Sequence, residues 1–133
     1  MRIYVAGSRY DIVAVRELLL GLQGLGHIIT HDWTVQSKGL DKAAYTYGEL
    51  AQKAVEDLEG IRRAQLVVVL AERKYNYRGA IGEMTAALAL GIPVAVIGAE
   101  IDECIFVYHP FVRKSKNRKE FLKSLQPRKL EGC

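Results

Sequence analysis

The chain has 133 residues, half of them apolar, with two cysteines and a formal net charge of +4. That length and composition suit one domain with its own core, and no apolar run approaches the roughly 20 residues needed to span a bilayer. Cys104 and Cys133 lack metal-ligand spacing and fit a reduced, cytoplasmic setting. The chain opens directly on Arg2-Ile3-Tyr4-Val5-Ala6, which reads as a buried strand with no signal peptide before it. Residues 11–24 follow as a helix, with Ile12, Val15, Leu18, Leu19 and Leu22 at helical spacing and Gly24 and Gly26 as its stop. His27 to His31 reads as a second strand, 32–42 as a polar loop and 43–62 as a long helix. Residues 65–70 give a third strand, 79–90 a third helix and 93–97 a fourth strand. A fifth strand is expected at 104–108 and a last helix at 116–125.

Apolar strands alternating with helices predict an α/β fold with a parallel sheet covered on both faces. Right-handed crossovers then favour a doubly wound, five-stranded, three-layer α/β/α arrangement of the flavodoxin-like, Rossmann-like kind. The whole of 1–133 reads as one domain, with a basic C-terminal helix and tail over about 113–133. Residues 113–129 hold eight Lys and Arg against Glu120 alone. With no aromatic platform interleaved, they read as a solvated amphipathic helix docked through Phe121, Leu122 and Leu125, not as a nucleic-acid surface.

In such folds ligands bind outside the carboxyl ends of the strands. Glu83 falls there, in Gly79-Ala80-Ile81-Gly82-Glu83, after the third strand and at the start of a helix. The helix dipole and free N–H groups are expected to favour its anion, which suits a nucleophile or a counter-charge. Asp57 falls inside the apolar stripe Leu50, Ala54, Leu58, Ile61 of the long helix. A carboxylate on a buried face must be capped, paired or functional. Two carboxylates around one pocket suit glycosidic chemistry, in which one attacks the anomeric carbon and a second polar group orients the sugar or manages protons. Gly7-Ser8-Arg9 fits a site for phosphate or sugar hydroxyls, and equally an ordinary turn with Asp11 as N-cap. Trp33, the only tryptophan, fits stacking on a nucleobase, a packing lid or a subunit contact. The hydroxyl of Tyr4 can reach the same edge. His27, His31 and His109 are too scattered for a metal site. Tyr45, Tyr47, Tyr75 and Tyr77, with Arg78, fit pocket-lining loops or a dimer interface.

Taken together, Ile3 to Gly7, Asp57 to Val69, Gly79 to Ala87 and Ala89 to Val94 resemble the nucleoside 2-deoxyribosyltransferase family, including its nucleoside 5′-monophosphate N-glycosidase relatives. The likeness covers most of residues 2–108. It implies a flavodoxin-like fold and catalysis without a metal or organic cofactor. It implies that Glu83 attacks C1′ of a deoxynucleoside, that the base departs, and that the deoxyribosyl ester passes to a second base or to water. On the same resemblance Asp57 handles a proton at the base or holds substrate, Tyr4 positions Glu83, and Gly79 and Gly82 lie with the substrate. Asp102, near the last strand, would bind the sugar's 5′ end, with a neighbouring subunit of a homodimer or larger homo-oligomer completing the site. The family often carries an Asp-Asn pair there, and this chain has Asp102-Glu103. Gly7-Ser8-Arg9 stands closer to the relatives in which Ser and Arg hold a phosphate. The expected activity is transfer of deoxyribose between bases, with a deoxynucleoside or deoxynucleotide and a free nucleobase as substrates. The alternatives are hydrolysis of 5′-monophosphates, a non-catalytic nucleotide-binding or sensor module, and a nucleic-acid-associated protein using residues 113–129.

Overall fold

A computed structural model describes residues 1–126; Arg128, Lys129 and Cys133, at the end of the basic segment, lie outside the described residues. Its elements in chain order are β1 (Arg2–Ala6), α1 (Ile12–Gly24), β2 (Ile28–Ile29), α2 (Tyr47–Arg62), β3 (Leu66–Leu70), α3 (Arg78–Ala89), β4 (Val94–Ile97), β5 (Val112–Ser115) and α4 (Arg118–Ser124). The five strands form one parallel sheet in the order β2-β1-β3-β4-β5, the flavodoxin-like order. Among the described residues no helix is long and apolar enough to cross a membrane.

Strand alternation builds the two halves of the core. Tyr4, Ala6, Val67, Val69, Val94 and Val96 point to one face and pack with Ile61, Ala80, Met84 and Ala87 of α2 and α3. Ile3, Val5, Val68, Leu70, Ala95 and Ile97 point to the other and pack with Val15, Leu18 and Leu22 of α1 and Phe121 of α4. Each strand is apolar throughout because both its faces are covered. Arg118 fixes the start of α4, with Nη1 2.8 Å from Glu17 and Nε 2.8 Å from Glu72.

Three expectations about the elements are corrected. The apolar stretch at 104–108 is not a strand: Ile105–Tyr108 is a 3-10 turn that buries only Val107. The fifth strand is the polar run Val112–Ser115, an edge strand with only β4 beside it. The long helix begins at Tyr47, because Thr46 and Glu49 cap each other's backbone N–H groups and fix the start there. Its expected stripe is also not buried as a whole. Ile61 is buried, but Ala54 is exposed and Leu58 keeps 53% of its surface open.

Candidate functional site

The strand order reverses between β1 and β3, so the loops leaving those strands diverge and open a crevice at the carboxyl edge. Residues 7–9 leave β1 there, residues 30–34 leave β2, and residues 71–77 lead from β3 into α3. Alternation along β1 turns Tyr4 toward α3. There its hydroxyl donates a hydrogen bond to Oε2 of Glu83, in the second turn of that helix. Gly60 lets α2 approach closely on the other side. A Cβ at that position would lie 2.6 Å from Cβ of His31 and 3.0 Å from Cδ2 of Tyr4.

Glu83 is largely buried, and burial is the main reason its pKa rises from 4.5 to about 8. The Tyr4 hydrogen bond opposes that rise, and the nearby Asp57 charge adds to it. The expectation that the helix N-terminus would favour the anion is therefore corrected. Arg78 opens the helix, Glu83 stands a turn further in, and the dipole fades within the first turn. Desolvation decides the outcome. The Tyr4 phenol is also pushed far up, by burial first and then by Glu83 and Asp57, so it stays a neutral donor. Asp57 rises through burial, against the lowering influence of His31, whose Nε2 lies 3.2 Å from Asp57 Oδ1.

Two cavities open at the same edge; Asp57 lines the larger, while Glu83 and Tyr4 line neither. The larger, about 460 Å³, is lined by Asp57, Trp33, Tyr45, Leu50, Lys53 and Gln36 among others. The smaller, about 270 Å³, is lined by Gly7, Ser8, Tyr10, Arg78, Gly79 and Ala80 among others. Arg9 and Lys42 line both, so the two adjoin. The turn before Glu83 walls the smaller cavity and Asp57 walls the larger. Ser8 is buried, and its Oγ accepts the Tyr10 N–H at 3.2 Å, which leaves its hydroxyl hydrogen able to donate. It caps the first turn in the place expected of Asp11, which is buried and makes no side-chain capping bond.

Trp33 forms part of the cavity wall, with its indole N–H donated to the carbonyl of Val5 at 2.7 Å. Its ring is thus pinned to β1. Two of the candidate residues stand apart from the cluster. Gly82 is exposed on the outer side of α3 and lines neither cavity. Asp102 is paired with Lys114 and also lines neither cavity. His31, Lys53, Gln36 and Lys42 reach the site without having been singled out for it in the sequence. Of these, Lys53 carried a usable signal, four residues before Asp57 on one helix face. Arg78 and Tyr45 line the cavities, whereas Tyr47 is 90% exposed. Among the described residues no three His, Cys, Asp or Glu side chains converge.

Fold and site together define a flavodoxin-like α/β chain with a tyrosine-bound, proton-retaining carboxylate at the topological switch of its sheet. Similar architecture occurs in a 2-deoxyribosyltransferase from the psychrotolerant bacterium Bacillus psychrosaccharolyticus, with a TM-score of 0.74, 17% identity, and 92% of this chain and 90% of that chain covered. The CMP N-glycosidase BcmB of Clostridium botulinum is similar at a TM-score of 0.60 and 16% identity, covering 94% of this chain and 98% of that one. A conserved protein from Enterococcus faecalis V583 gives 0.64 and 19%, covering 92% and 95%. At these identities the likeness establishes the shared fold. No protein-family model matches the chain, and no curated protein sequence does.

Proposed function

We propose that the chain cleaves the base–sugar bond of 2′-deoxynucleosides or their 5′-monophosphates and passes the deoxyribosyl group to another base. The observation that carries this reading is the hydrogen-bonded Glu83–Tyr4 pair close to Asp57, which lines the larger of two adjoining cavities at the carboxyl edge. The base would occupy the larger cavity, against Trp33 and beside Asp57. The sugar would lie toward Gly7, Ser8 and Gly79. A Glu83 carboxylate oxygen then bonds to C1′ as the C1′–N bond breaks and its electron pair moves to the base. Asp57 supplies a proton to the base, and Tyr4 orients the nucleophile. A second base reverses these steps and regenerates Glu83. Gly82 and Asp102 have no place in this reading of one chain. Asp102 would enter only from a neighbouring copy in a homo-oligomer.

A second reading, hydrolysis of a 5′-monophosphate to base and sugar phosphate, is favoured by the smaller cavity. Arg9, Lys42 and Arg78 line it together with the buried Ser8, a donor set suited to a phosphate. Water replaces the second base in that case, and the covalent step is unchanged.

The test is incubation of the protein with each deoxynucleoside, or its monophosphate, plus a different free base, read by chromatography. A new nucleoside or nucleotide supports transfer, and free base with free sugar or sugar phosphate supports hydrolysis. Glu83→Ala should abolish base release while keeping the far-UV circular dichroism of the wild type. Undiminished release by a folded Glu83→Ala protein refutes the nucleophile.

A further inference from the structure

The larger cavity contains a cation that the reaction above does not use. Lys53 lies one helical turn before Asp57 and lines the same cavity. It is half-buried. Its ammonium donates to Oε1 of Gln36 and sits 4.2 Å from the centroid of the Tyr45 ring. Gln36 cannot turn away freely, because its Nε2 donates to the Trp33 carbonyl at 2.9 Å. The ammonium is therefore held against the wall by a neutral amide and a ring face. Among the described residues no carboxylate lies within ion-pair distance of it. Lys38, nearby on the same loop, is instead paired with Glu49 at 3.0 Å. A lysine with three donors, anchored but not neutralised, presents its remaining charge to the cavity.

Breaking a C1′–N bond leaves an electron pair on the departing base. A proton can neutralise it, and so can a fixed positive charge placed where the negative charge develops. We propose that Lys53 stabilises the charge developing on the departing base, in concert with proton donation by Asp57. This rests on the N-glycosyl reading. The bond from Glu83 to C1′ forms, the C1′–N bond breaks, and the base nitrogen keeps the pair. Asp57 donates its proton where the base accepts one, and Lys53 offsets the charge that protonation leaves uncompensated. In the return step the acceptor base's nitrogen bonds to C1′, the ester bond breaks, and the proton returns to Asp57.

The experiment uses the full chain as Lys53→Met and Lys53→Arg, with thermal unfolding to confirm folding. kcat/KM for base release is measured across deoxynucleosides whose bases differ in N–H acidity, from thymine to 5-fluorouracil. Lys53→Met should lose at least tenfold on the thymine substrate and less than twofold on the 5-fluorouracil substrate. Lys53→Arg, which keeps the charge, should restore the shallow dependence. A uniform loss across the series, or no loss, overturns the role of Lys53 while leaving the N-glycosyl reading standing. Absence of base release by the wild type from every deoxynucleoside and monophosphate overturns both.

Discussion

Glu83→Gln separates the hydrogen-bonding role of this side chain from its charge. The folded protein holds the Glu83 proton up to about pH 8, whereas the reference value is 4.5. Between those values the folded state binds one more proton than the unfolded state. Stability from this group is thus fully present below about pH 4.5 and is lost as pH rises through about 8. The slope is about 1.4 kcal/mol per pH unit, so the full span corresponds to roughly 5 kcal/mol as an upper value. Glutamine keeps the shape and still accepts the Tyr4 hydrogen bond, but it never ionises. The variant should match the wild type near pH 4 and exceed it at pH 9 by about 3–5 kcal/mol, on the order of 10 °C in Tm. Thermal and urea unfolding of both proteins, followed by circular dichroism at half-unit steps from pH 4 to 9, gives the difference directly. Subtracting one protein from the other cancels the titrating groups that do not interact with Glu83. A difference that stays flat with pH, or that favours the wild type at pH 9, refutes the claim that burial opposes ionisation of Glu83.

On the proposed reaction ionised Glu83 attacks, so for bases that depart without a proton kcat/KM should climb with pH along a limb centred near 8. Tyr4→Phe removes the hydrogen bond that lowers Glu83 and should move that limb upward; a limb that stays put denies the contact a role. Asp57→Asn removes the charge that raises Glu83 and should move the limb downward. It should also slow release of bases that need a proton by about 10²–10⁴-fold. Comparing substrates whose bases depart with and without protonation tests the proton-donor role, and equal slowing of both rejects it. Gly60→Ala should cost about 1–3 kcal/mol in urea unfolding, because the added methyl meets His31 and Tyr4. Wild-type stability in that variant shows that the close approach relaxes freely. Arg78→Met should lower kcat/KM for a 5′-monophosphate at least tenfold more than for the nucleoside, and equal losses argue against a phosphate in the smaller cavity.

What the sequence discloses here depends on how local the causes are. The three inner strands of the sheet and their loops follow from short apolar runs between glycine and proline stops, and Tyr4 and Glu83 fall at one edge because alternation and crossover geometry demand it. The fifth strand fails for an opposite reason. Ile105, Phe106 and Tyr108 have strand-like composition yet are exposed, while Val112–Ser115 pairs through backbone groups that its polar side chains do not advertise. Asp57 reaches the cavity, but not by the buried stripe that singled it out: Ala54 and Leu58 of that stripe are exposed. The protonation of Glu83 is invisible in sequence because it depends on how completely β1, α2 and α3 exclude water. Trp33 shows the same dependence, since its N–H partner is a backbone carbonyl on another strand.

Structure alone does not require a carboxylic acid at position 83. Buried Tyr4 needs an acceptor for its hydroxyl, and a neutral amide would meet that need without the desolvation penalty carried by an anion. The ionisable group therefore lowers stability at and above neutral pH for no gain in packing, the pattern expected where an acid is held for its chemistry. On the proposed reaction the arrangement would also link binding to activation. In the empty site at pH 7 about one Glu83 in ten is ionised, given a pKa near 8. In that reaction an electron-poor anomeric carbon brought against the oxygens would favour the anion. The nucleophile would then form where and when its target is present, and a free site would stay mostly protonated and unreactive.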